Sequence, residues 1–199
     1  MSATGSVSDE WDMSSYDYIG EHSGGDVGRA GVDVRMMSSY EDMTEVALMT
    51  VVAQLGQALR ARGLAADVCA VDEVVSVDDY RAVVLGSAVY HGRWIPAAVS
   101  FAEAHADALS GVPVWLFSSG PVGDPNLHTA PADAEAVTRL LGAREHRTFA
   151  GRLGKQDLDE EERAGVTSIQ REEVDYRDWA AVRRWAAGIA DTVLGEAAG

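Results

Sequence analysis

The chain has 199 residues, 47% of them hydrophobic, with 32 acidic against 16 basic side chains and a formal charge of -16. That size and apolar content are enough for one full core, so one domain plus a tail is expected. The charge excludes generic binding to nucleic acid or anionic membrane, both polyanions that would repel it. A single cysteine, Cys69, excludes an internal disulfide framework and a cysteine-based zinc site. In the strand-like run Val68-Cys69-Ala70 it is expected to be an inert, buried thiol in a reducing compartment. No apolar stretch approaches the ~20 residues of a membrane span, and no basic region followed by an apolar one opens the chain. The expected location is cytoplasmic.

Residues 1–30 carry Asp9, Glu10, Asp12, Asp17, Glu21 and Asp26 against Arg29 alone, among many Ser and Gly. Such a composition does not repay the entropy of ordering, so a disordered acidic tail is expected. Its Trp11, Tyr16, Tyr18 and Ile19 leave docking on a partner protein as the alternative to a solvated tail. The domain is then expected over residues 31–195. Val32 to Met37 is the first strand, and Asp33 and Arg35 on one face suit a half-exposed strand. Apolar residues at Val46, Met49, Val52, Leu55 and Leu59 predict a helix over 44–62, ending at Gly63. Ala66 to Val71 is the second strand and Ala82 to Gly86 the third. A helix follows over Ile95 to Leu109, with Pro96 in its first turn, where a missing N–H costs little.

The fourth strand is Val112 to Phe117, followed by a helix over Pro131 to Leu141 and a fifth strand, His146 to Ala150. Residues 151–173 form a charged, irregular insertion whose acidic run, Asp157 to Glu162, suits a solvated face. Trp179, Val182, Trp185, Ile189 and Val193 line one face of a terminal helix over Trp179 to Leu194. Strands alternating with helices predict right-handed crossovers and a doubly wound α/β sheet of about five strands. Pattern alone leaves a flavodoxin-like strand order and another three-layer nucleotide-binding order both open.

Two apolar runs, Ala82-Val83-Val84-Leu85 and Val114-Trp115-Leu116-Phe117, each end in a small-residue stretch, Gly86 to Trp94 and Ser118 to Gly123. Short continuous apolar runs suit strands covered on both faces, and open parallel sheets bind ligands beyond the carboxyl ends of their strands. Those two stretches are therefore the candidate site. Gly86 and Gly92 are equally consistent with turns alone, and Tyr90 with a surface side chain. His91, His105, His128 and His146 are scattered without metal-ligand spacing, and Ser118-Ser119-Gly120 is not the Gly-x-Ser-x-Gly nucleophile turn. No metal is expected.

Val83 to Trp94, Pro113 to Gly123, Gly142 to Gly151 and Asp175 to Trp179 together resemble the short-chain flavodoxin-domain proteins, close to the menaquinone-dependent protoporphyrinogen IX dehydrogenases of bacteria. The likeness covers roughly residues 64–190. It implies a flavodoxin-like three-layer sandwich with strand order 2-1-3-4-5 and FMN across the carboxyl ends of strands one, three and four. It implies ring contacts from Ser87, Ala88, Val89, Tyr90, His91 and Gly92, with Tyr90 available to stack. Backbone contacts to ring and ribityl would come from Ser118, Ser119, Gly120, Pro121 and Gly123.

The family's phosphate loop aligns with Ser38-Ser39-Tyr40-Glu41-Asp42-Met43-Thr44. Ser38 matches, and Ser39 and Thr44 offer hydroxyls, but Glu41 replaces the family's glycine and Asp42 the next hydroxyl. A carboxylate ~5 Å from a phosphate charge costs about 3 kcal/mol at an effective dielectric near 20. Against that, a helix N-terminus contributes ~1 kcal/mol. Either the two acids turn away, or FMN binds weakly or not at all; as first-turn acids they also simply favour the helix that follows. Two functions stay open: an FMN-dependent redox protein, whose electron partner or small-molecule substrate is unspecified, and a flavodoxin fold with an impaired phosphate site acting as a binding or regulatory module.

Overall fold

The two apolar runs form the middle of a sheet because no part of either tolerates water. Every side chain from Ala82 to Leu85 and from Val114 to Phe117 is buried, so both faces of each strand must be covered. The computed structural model describes residues 33–39, 45–90, 92–120, 130–154 and 173–198, all within a compact unit, Gly31–Gly199. The expected acidic tail over 1–30 lies outside these described residues.

The first half of the domain runs β1 (Asp33–Ser39), α1 (Glu45–Ala61), β2 (Ala65–Ala70), β3 (Ala82–Tyr90), β4 (Arg93–Trp94) and α2 (Pro96–His105). The second half runs β5 (Val114–Ser119), α3 (Ala132–Leu141), β6 (Glu145–Phe149), β7 (Arg152–Gly154), β8 (Glu173–Asp175) and α4 (Trp179–Ala197). The main strands lie in the order β2-β1-β3-β5-β6, and every neighbouring pair among them is parallel. This is the flavodoxin-like α/β arrangement, with β4 added antiparallel to the end of β3.

Alternate residues of the central strands feed two cores. Val84, Trp115 and Phe117 pack with Leu48, Val52, Leu55 and Leu59 of α1 and with Trp185, Ile189 and Val193 of α4. Val83, Leu85, Val114 and Leu116 face the other way, onto Ala98 and Phe101 of α2 and Val137 and Leu141 of α3. Each fully buried aliphatic side chain contributes about 1.5–3 kcal/mol. Helix α1 stops where Gly63 turns with φ 90°, so that Gly63 N–H donates to Arg60 O at 2.9 Å and Leu64 N–H to Leu59 O at 3.3 Å. Helix α4 starts on the Asp178 carboxylate, which accepts from Ala181 N–H at 2.9 Å; that bond holds the Asp178 pKa below its ordinary value.

Several expectations need correction. β3 does not end at Gly86 but continues to Tyr90, and β5 continues to Ser119. Gly86 is no turn residue: it pairs with Phe117 across the strands, and a Cβ there would lie 2.1 Å from the Phe117 ring. The glycine makes room for an aromatic ring and leaves the strand intact. The helix after β4 ends at His105, four residues before the expected Leu109, because 106–111 are turns. The 151–173 insertion is not irregular throughout, since β7 and β8 pair antiparallel at its two ends. Residues 155–172, including the acidic run, lie outside the described residues. Cys69 is only partly buried because β2 is an edge strand of the sheet. β1 lies between β2 and β3; its side chains, and with them the expected half-exposed face, fall outside the description.

Candidate functional site

Parallel pairing brings the carboxyl ends of the inner strands level. Ser39 of β1 is opposite Ser87 of β3, Ser87 opposite Ser118 of β5, and Ser118 opposite Thr148 of β6. Beyond this row β3 folds back into β4: Val89 pairs with Trp94 and Tyr90 with Arg93, and Gly92 lies in a turn at φ 74°. What the sequence suggested as a loop over Ser87 to Gly92 is therefore mostly one arm of a hairpin.

Three main chains then approach closely at the sheet edge. Gly120, just past β5, has φ 134°, a conformation costly for any residue with a Cβ. A Cβ there would also sit 3.1 Å from Val89 O. Gly151, just past β6, packs against Gly120 so tightly that its own Cβ would lie 2.8 Å from Gly120 Cα. Tyr176 N–H donates to Gly151 O at 3.1 Å, tying the segment after β8 to the same edge.

The candidate serines divide by what their hydroxyls do. Ser87 Oγ, fully buried, donates to Ala88 O at 2.9 Å and accepts from Ile95 N–H at 3.0 Å. Ser118 Oγ, also fully buried, accepts from Trp94 Nε1–H at 2.7 Å and lies 2.8 Å from His146 Nε2. Ser119, on the opposite face of the strand, is 1% exposed, and its Oγ has no hydrogen-bond partner among the described residues. Ala88 is buried in the β3 arm, and Val89 is partly so. Ser38 and Ser39 close β1, where only the backbone is described. Tyr90 ends β3, its side chain likewise outside the description. Thr44, His91, Pro121 and Gly123, together with Glu41 and Asp42, lie outside the described residues.

The structure adds residues that no local pattern flags. Asp133, in the first turn of α3, accepts from Trp94 N–H at 3.1 Å and from the Arg93 guanidinium at 3.0 Å, so α3 clasps the base of the hairpin. His146 stands 28 positions from Ser118, a separation with no helical or strand period to betray it. Burial lowers its pKa from the ordinary value of 6.5, while the charges of Glu135 and Glu145 pull it back up. A cavity of about 420 Å³ opens beside it, lined by Ala130, Glu135, Thr138 and Arg139. A larger one, about 600 Å³, lies at the opposite end of the sheet near Pro113 and Arg144, away from the strand ends. Among the described residues no cluster of His, Cys, Asp or Glu could hold a metal ion, and no helix is long and apolar enough to cross a membrane.

This arrangement has known counterparts. A flavodoxin from the domain Archaea superposes with a TM-score of 0.55 at 12% identity, covering 80% of this chain and 98% of that one. Oxidised flavodoxin 1 from Bacillus cereus gives 0.52 at 12% identity, over 78% and 95% of the respective chains. The rubredoxin oxygen:oxidoreductase of Desulfovibrio gigas gives 0.56 at 12% identity over 84% of this chain, which spans only 37% of that protein. At such identities the likeness bears on the fold. No curated protein sequence matches the chain. The flavodoxin domain family model, however, matches residues 49–179, well over half of the sequence, and the chain belongs to that family.

Proposed function

We propose that the domain binds FMN across the carboxyl ends of β1, β3 and β5 and works as a redox protein. Family membership supports this, and the observation that carries it is Ser119. A buried hydroxyl without a partner costs about 1–3 kcal/mol, and this one belongs to the last residue of β5, at the carboxyl edge of the sheet. A ribityl hydroxyl or a ring heteroatom would satisfy it, so the residues present fit a flavin. The 90–92 turn would cover the ring, and the backbone of 119–123 would run along it. Ser38, Ser39 and Thr44 would face the phosphate. Ser87 and Ser118 would act from behind, since their hydroxyls are spent inside the protein. Bound flavin supplies electron transfer; the protein holds it, orients it and shields it from water.

The test is the visible spectrum of the purified protein, followed by titration with FMN and with riboflavin. Flavin bands, or FMN binding tighter than riboflavin, support the proposal; binding of neither overturns it. The resemblance to menaquinone-dependent protoporphyrinogen IX dehydrogenases supports, as a finer version, a quinone- or porphyrinogen-linked oxidoreductase. A second reading rests on Glu41 and Asp42: a phosphate-impaired module that binds a partner, with the acidic 1–30 segment as its docking element. If those acids repel phosphate, Glu41→Gly with Asp42→Ser raises FMN affinity by at least about tenfold, the factor that 1.4 kcal/mol represents. Unchanged affinity removes the repulsion.

A further inference from the structure

The stem of the β3–β4 hairpin is held from below by four hydrogen bonds. Asp133 takes Trp94 N–H and the Arg93 guanidinium, Ser87 Oγ takes Ile95 N–H, and Ser118 Oγ takes the Trp94 indole N–H. Among the described residues in or touching this set, His146 is the partly exposed histidine, and burial lowers its pKa below 6.5. It sits on the edge strand β6, and its ring lies 6.2 Å from that of Trp94.

Counting protons shows why its ionisation matters. An indole N–H only donates, so Ser118 Oγ must accept from Trp94. With neutral His146 carrying its proton on Nδ1, the hydroxyl's own proton is donated to Nε2 and every group in the set has a partner. Imidazolium carries N–H on both nitrogens. Its Nε2–H would have to donate to the same Ser118 Oγ, and the hydroxyl proton would be stranded in a fully buried site with no other acceptor among the described residues. The oxygen can still accept from both rings, but its own proton is then left unpaired in a buried site, which weakens the set that holds the Trp94 indole.

We propose that His146 is a positioning residue for the hairpin: its neutral imidazole, acting through the Ser118 hydroxyl, holds the Trp94 indole and with it β4, and that hold weakens on protonation. The effect on a ligand rests on the FMN reading above, whereas the hold on Trp94 does not. The charged groups facing His146 are Glu135 and Arg139 of α3 and Glu145 of β6, the last paired with Arg147; the Arg93–Asp133 pair flanks the hairpin base. Burial opposes protonation of His146, and the two glutamates only partly offset it.

The experiment follows the indole N–H resonances of the full chain by NMR from acid to neutral pH without flavin. Trp94→Phe identifies the Trp94 signal among the five tryptophans. The Trp94 signal is expected to titrate together with the His146 ring protons, with its midpoint below 6.5. It is expected to be flat in His146→Gln, which keeps an acceptor but cannot titrate. A wild-type Trp94 signal indifferent to pH, or one that still titrates in His146→Gln, overturns the proposal. FMN affinity, measured over the same range, is expected to fall on acidification by about fivefold more in wild type than in His146→Gln, the lower end of ordinary site-to-site coupling. Comparing the two proteins cancels the titration of the ligand's own phosphate, whose second pKa is about 6. Equal pH dependence in both overturns the positioning role for the cofactor. If FMN binds at no pH, the flavin reading fails while the indole titration still decides the hairpin.

Discussion

The same strands build two unlike layers. On the α1/α4 side the sheet ends in aromatics: Phe117, Phe149 and Trp185 pack mutually edge-on or tilted, with centroids 5.5–6.1 Å apart, over the space left by Gly86. On the α2/α3 side, at the same level, it ends in hydrogen bonds that run from Asp133 through Trp94 and Ser118 to His146. Dispersion and burial hold most of the first layer, which depends on volume, with one hydrogen bond from Trp185 Nε1–H to the Glu145 carboxylate at 2.8 Å. Directional bonds hold the second, which tolerates small changes of volume but not a misplaced proton. One layer secures the fold, and the other sets the position of the hairpin at the candidate site.

The largest way to break this contrast is to attack the aromatic layer. Phe117→Ala should cost about 3–5 kcal/mol in chemical denaturation. Gly86→Ala, which drives a methyl into the ring, should cost about 1–3 kcal/mol, and Phe117→Leu in the same chain should recover part of it. If Gly86→Ala is neutral, the ring does not lie where Gly86 requires it.

Asp133→Ala should come next, at about 1–3 kcal/mol, because it leaves the partly buried Trp94 N–H without an acceptor. Proteolysis at the 90–93 turn should accelerate more than global unfolding does; if the two change in parallel, the clasp is not local.

The polar layer should also make stability depend on pH. With the folded pKa of His146 below 6.5, the unfolded chain binds more protons in the interval between the two values. Stability should therefore rise with pH across that interval and be lost as pH falls through it. His146→Gln should remove this contribution, and an unaltered stability–pH profile in the variant would place the titration elsewhere.

The smallest effect on stability sharpens the comparison at its border. Ser119→Ala deletes the unpartnered hydroxyl, so the flavin-free protein should gain up to about 1 kcal/mol or stay unchanged, while FMN binding weakens. Loss of stability without loss of affinity would mean that the hydroxyl has a partner inside the fold.

Local pattern carried the helices and the order of elements. The spacing of Val52, Leu55 and Leu59 or of Trp185, Ile189 and Val193 reports one buried face, and the doubly buried runs at 82–85 and 114–117 report inner parallel strands, because each depends only on neighbours in the chain. The site's neighbourhood was legible in the same way, as small residues following those runs. Where β3 ends was not, because a glycine that clears a ring on the next strand has the same letter as one that turns the chain. Nor was the polar network: Trp94, Ser118, Asp133 and His146 meet only after three strands and a helix have been laid side by side. Short-range periodicity reflects burial, which each segment feels alone. Hydrogen-bond partnership across the sheet depends on register and on which face each residue takes, and those are properties of the assembled tertiary structure.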